Sequence, residues 1–136
     1  MIDKIKQTEL LHLAKEARGH SYSPYSHYAV GAALLTKDGK IYQGCNIENA
    51  SFTPTICAER TAFFKALFDG VRAFEAIAVI GTGTEPAYPC GVCRQVMAEF
   101  CEKDFLIISA NVDLSKVDPR TLADLLPCSF GPKDLA

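Results

Sequence analysis

The 136-residue chain is 49% hydrophobic and 22% charged, and its 14 Lys and Arg against 16 Asp and Glu leave a net charge of −2. This balance describes one globular domain over residues 1–136 with a real core. It excludes the cationic track that a polynucleotide requires, and no apolar run is long enough to span a bilayer.

The N-terminal segment "MIDKIKQTELLHLAKEARGH" is charged and amphipathic rather than a signal peptide, so the expected location is cytoplasmic. Within it Leu10, Leu13, Ala14 and Ala17 fall at i, i+3, i+4 and i+7, one apolar helical face. "GHSYSPYSH" breaks that helix. "YAVGAALLT" and "KIYQGCNI" flank "KDGK" and predict a β-hairpin. "CAERTAFFKALFDG" predicts a helix ended by Gly70, "FEAIAVIG" a strand, "CGVCRQVMAEFCEK" a second helix, and "FLIISAN" another strand. In "DPRTLADLLP", Asp118 as N-cap and Pro119 at the first helical position predict a last helix. Strands alternating with helices imply an α/β fold, a three-layer α/β/α sandwich with a mixed sheet of about five strands. In the helix after Cys57, Ala58, Ala62, Phe63, Phe64, Ala66, Leu67 and Phe68 cover most of the circumference. A helix apolar nearly all round in so small a domain predicts a sheet on one side and a second subunit on another.

Six cysteines are many for a chain in a reducing compartment, where clustered thiols point to metal binding or catalysis. Cys45, Cys101 and Cys128 are scattered and read as small buried hydrophobes. Cys90 and Cys93 form C-x-x-C at a helix start, and Cys57 begins another helix. If the two N-termini converge near strand ends, three thiolates meet where helix dipoles favour negative sulfur. Three soft ligands suit one Zn²⁺ per chain. His12, His20 and His27 lie far upstream of any ligand spacing. A structural zinc closes with four protein ligands, whereas three with an open place describe a catalytic zinc holding water.

Glu59, two residues after Cys57, then has a role as the acid/base that moves protons between that water and a leaving group. Alone it would pass for a helix-dipole partner. Three thiolates also give the site a net negative charge and weaken the metal as a Lewis acid. Arg60 and Arg94 each follow a ligand closely, and donation from either to sulfur would withdraw that charge.

The combination C-A-E-R with P-C-G-x-C-R-Q resembles the zinc-dependent deaminases, whose signature is three ligands and a glutamate acid/base. "YSPYSHYAVGAALLTKDGKIYQGCNIENASF" and "LLPCSF" narrow the resemblance to the small homotetrameric cytidine deaminases, over nearly the whole chain. The resemblance implies hydrolytic deamination of cytidine and 2'-deoxycytidine, a role in pyrimidine salvage, and active sites completed by neighbouring subunits. It maps ribose binding to Asn46 and Glu48 of "NIEN", and an aromatic beside the substrate to Tyr28, where the family commonly has Phe. It maps base stacking across a subunit boundary to Phe130, and a second cross-subunit residue to Phe52, where Tyr is usual. The free N–H groups of Ala58 and Glu59 at the helix start suit the pyrimidine O2. "TPTI" before Cys57 departs from the family's more polar residues. Two other readings compete: a deaminase of a cytosine nucleoside analogue on the same scaffold, and a non-catalytic zinc module in which Cys45, Cys101 or Cys128 closes the site. A thioredoxin-like reading of C-G-V-C leaves Cys57 and Glu59 without a role.

Overall fold

A computed structural model describes residues 2–136. The elements in chain order are α1 (Lys4–Arg18), β1 (Gly31–Thr36), β2 (Ile41–Cys45), α2 (Ala58–Phe68), β3 (Phe74–Ile80), α3 (Gly91–Phe100), β4 (Leu106–Ala110), β5 (Val117–Thr121) and α4 (Leu122–Leu125), followed by a 3₁₀ turn at Pro132–Asp134. The sheet order is β2-β1-β3-β4-β5. β3 and β4 are parallel and the other neighbours antiparallel, giving the expected mixed sheet. Asp3 caps α1, its carboxylate accepting from Lys6 N at 2.9 Å. Gly70, at φ +90°, follows α2 as the sequence requires.

Alternation along the strands divides the core between the two faces. Ala32, Leu34, Ile77, Val79 and Ile107 pack with α2 and α3 residues including Ala62, Phe63 and Met97. Ala33, Leu35, Ala76, Ala78 and Ile108 pack with Leu10, Leu11 and Ala14 of α1. The layers are therefore α1, sheet, and α2 with α3. Phe63 anchors the second interface, its ring meeting Phe74 edge-on with centroids 5.0 Å apart.

One expectation fails. Asp118 and Pro119 do not start a helix; they lie in β5, and Pro119 pairs with Ile108. The helix begins four residues after Asp118 and is four residues long, capped by Thr121 with Asp124 in a capping box. An edge strand tolerates proline where the missing N–H would face away from the sheet. That strand supplies the fifth member of the sheet.

The register also fixes where a site can form. Gly31 pairs with both Cys45 and Ile80, and Ile80 pairs with Ala110. The C-terminal ends of β2, β3 and β4 thus lie along one edge of the sheet, and α2 and α3 both begin beyond it.

Candidate active site

The loops leaving β2 and β3 bring the two cysteine segments together. Ile47 bridges to Ile56, with Ile47 N to Ile56 O and Ile56 N to Ile47 O both 3.0 Å, which folds 46–57 back on itself. α2 then starts directly over β2. Gly44 permits this: a Cβ there would fall 2.6 Å from Ala62 N and against Ala58 O. Thr61 Oγ1 donates to Cys45 O at 3.0 Å and locks the contact. The helix that carries Cys57 and Glu59 therefore sits as deep as a bare backbone allows.

Cys57 and Cys90 are the N-cap residues of α2 and α3, and neither helix has a side-chain cap. Their first N–H groups and dipoles are left facing the site. The Sγ atoms of Cys57, Cys90 and Cys93 all lie within 4.8 Å of one another, and no other His, Cys, Asp or Glu joins that group among the described residues. The Cys57–Cys90 sulfur separation is 3.7 Å. Tetrahedral Zn²⁺ with Zn–S near 2.3 Å requires sulfurs about 3.8 Å apart, so the Cys57–Cys90 spacing fits one edge of a zinc tetrahedron.

Hydrogen bonding to Cys93 pulls the Cys57 thiol down to about 5 against burial, helped by Arg60 and Cys90. The same pairing, with burial and the nearby Glu59 charge, pushes the Cys93 thiol up. A metal takes sulfur as thiolate, so loading it releases whatever protons the three sulfurs hold.

Glu59 is 4% exposed. Burial pushes its carboxyl up to about 7; the Cys57 charge adds to the rise and Arg60 opposes it. A carboxyl poised there exchanges protons readily near neutrality. Arg60 Nη2 donates to Cys57 Sγ at 3.4 Å, while its Nε is buried without a partner. Arg94 differs from its expected role as a donor to sulfur. Its Nε donates to Pro89 O and its Nη1 to Leu125 O, both at 2.7 Å. It braces the loop before Cys90 through two carbonyls, because α3 turns its side chain toward α4.

The expected ribose residues hold a loop. Asn46 is buried; its Oδ1 accepts from Ser21 Oγ at 2.5 Å and Val30 N at 2.9 Å, and its Nδ2 donates to Tyr28 O at 2.7 Å. Glu48 accepts from Tyr25 N at 2.9 Å, from Ser26 N at 3.1 Å and from Ser26 Oγ. These bonds bring segment 21–30 to the end of β2, and Tyr28 with it. The Tyr28 hydroxyl lies against Gly81, at the end of β3. Nothing in the sequence marks Ser21 and Ser26, since the serine-rich loop reads only as a helix breaker. Phe52, at φ +65° and 73% exposed, lines the same surface depression as Tyr25, Ser26 and Glu48, whereas Phe130 is 59% exposed on the C-terminal segment. His20 accepts from Cys45 Sγ through its backbone carbonyl, at 3.4 Å.

A family model described as the cytidine and deoxycytidylate deaminase zinc-binding region matches residues 4–109. A cytidine deaminase of Sporosarcina psychrophila is 50% identical over 128 residues, 94% of this chain and 93% of its own length. One from Halalkalibacterium halodurans is 48% identical over 126 residues, 93% of this chain and 95% of its own. The crystal structure of cytidine deaminase from Burkholderia pseudomallei superposes with a TM-score of 0.87 at 47% identity, over 90% of this chain and 98% of that one.

Proposed function

The chain belongs to the zinc-dependent cytidine deaminase family, and from that membership we propose how its own residues carry out the hydrolytic deamination of cytidine and 2'-deoxycytidine. The observation that carries the reading is the convergence of three sulfurs from two helix starts beside a buried glutamate. Cys57, Cys90 and Cys93 hold the zinc, which when bound supplies an electrophile that makes water nucleophilic near neutral pH.

Glu59 accepts a proton from the attacking water and delivers it to N3 of the pyrimidine as C4 becomes tetrahedral. It then passes the second proton to the amino group, and the C4–N bond breaks. Water and cytidine thus become uridine and ammonia, with no net gain or loss of protons by the protein. Burial of Glu59 supports this role, since it brings the carboxyl toward neutrality. Arg60 withdraws charge from Cys57 and so keeps the metal electrophilic. The uncapped N–H groups of Ala58 and Glu59 receive the pyrimidine O2. Asn46 and Glu48 bind the ribose hydroxyls, and their bonds to segment 21–30 hold Tyr28 near the substrate.

The chain works as a single deaminase domain and as a homotetramer. Support comes from the outer side of α2, where Phe64 and Phe68 are 44% and 91% exposed beside Ile47. That is the surface expected of a helix apolar nearly all round. The exposed rings of Phe130 and Phe52 suit contributions to a neighbour's site. No helix among the described residues is long and apolar enough to cross a membrane, and all six cysteines are free, which suits a reducing cytoplasm.

The test is the ultraviolet change as cytidine becomes uridine. Glu59→Ala is expected to lower kcat by about 10²–10⁴-fold with zinc retained. Wild-type turnover by that variant would end the role given to Glu59.

A further inference from the structure

We propose that Gln95 is a positioning residue that fixes Phe130 for the active site of a second copy of this chain; the proposal rests on the cross-subunit reading of Phe130 given above. Two consecutive side chains after the ligand Cys93 reach the C-terminal segment. Arg94 Nη1 donates to Leu125 O at 2.7 Å, and Gln95 Nε2 donates to Phe130 O at 2.9 Å. The next amide is held as well, since Gly131 N donates to Asp134 Oδ2 at 2.8 Å. The peptide joining Phe130 to Gly131 is thus gripped at both ends by side chains, one from α3 and one from the 3₁₀ turn.

This grip sets the direction in which Phe130 leaves the backbone. It acts in a segment that no sheet ladder supports, after a left-handed turn at Cys128 with φ +54°. Yet the ring it fixes is 59% exposed. A fixed backbone under an exposed aromatic is a device for presenting that ring to another surface. Gln95 is itself exposed, so it adds nothing to the core. One turn of α3 therefore carries a metal ligand for its own subunit and the tether for the residue that closes its neighbour's site.

Gln95→Glu keeps the size and removes the donor. In zinc-loaded enzyme with cytidine, the expected result is a KM raised on the order of fivefold, the worth of one hydrogen bond. The kcat and the zinc content stay at wild-type values. Combined with Phe130→Ala, Gln95→Glu adds no further increase. The decisive arm mixes subunits. Gln95→Glu chains co-produced with Glu59→Ala chains form active sites that keep Glu59 and borrow an intact tail, so part of the activity returns to the wild-type KM. A KM that stays high in the mixture, or zinc loss in Gln95→Glu, would show a local role and overturn the proposal. If Phe130→Ala raises KM and Gln95→Glu does not, the Gln95 proposal alone fails. If Phe130→Ala leaves KM unchanged, the reading of Phe130 fails and takes this one with it.

Discussion

Arg60 Nη2 stands 3.4 Å from Cys57 Sγ, three residues back on the same helix, and this is the only guanidinium donated to a cysteine among the described hydrogen bonds. It matters because three thiolates around a dication leave the site negative and the metal a poor electrophile. A positive donor on one sulfur offsets that. Arg60→Gln is therefore expected to lower turnover and loosen zinc, each by about 10–100-fold. Steady-state rates and competition with a chelating dye measure both. Unchanged zinc affinity together with an unchanged rate would contradict the role.

If Glu48 binds the ribose as proposed, it should set an acid limit on substrate binding. The Ser26 hydroxyl, with the Ser26 and Tyr25 N–H groups, holds its carboxyl below the usual carboxylate range, outweighing burial. A depressed value keeps the carboxylate charged, and able to accept from a hydroxyl, until pH falls through that lowered range. KM for cytidine should therefore stay flat on this account down to that range and rise only below it. Ser26→Ala removes the largest cause, so the rise should begin at higher pH. A KM profile identical to wild type in Ser26→Ala would refute the linkage between the loop and the ribose site.

Phe130 offers a direct assay of shared sites. Phe130→Ala is expected to raise KM by about 5–100-fold, the range for loss of one base-stacking contact. Neither Phe130→Ala nor Glu59→Ala chains are expected to be efficient alone. Co-assembled, they should recover efficient turnover, because some sites combine Glu59 from one chain with Phe130 from the other. Activity no greater than the sum of the two separate enzymes would place Phe130 in its own subunit's pocket.

Much of this was legible in the sequence because the signals were periodic or tightly spaced. The apolar face of α1, the hairpin around "KDGK" and the stop at Gly70 are local rules, and tertiary packing agreed with them. The three sulfurs are legible because C-x-x-C at one helix start needs a partner, and Cys57 at another helix start supplies it. What stayed hidden depended on side-chain direction. Arg94 resembles Arg60 in sequence, each close behind a ligand, but their positions on their helices send one to sulfur and the other to the carbonyls of Pro89 and Leu125. Ser21 and Ser26 carry no motif; they matter because a bridge between Tyr22 and Ile47 lays one loop beside another. The helix expected at Asp118 failed because capping signals are also edge-strand residues, and only the unpaired side of β4 decided between them.

Zinc held by three sulfurs, with its remaining place left for water, is tested by X-ray absorption at the zinc edge on active enzyme, with metal content measured on the same sample. The expected result is one zinc per chain, three sulfur neighbours near 2.3 Å and one lighter oxygen neighbour, with activity lost on chelation and restored by zinc. Four sulfur neighbours, or full activity without metal, would contradict it.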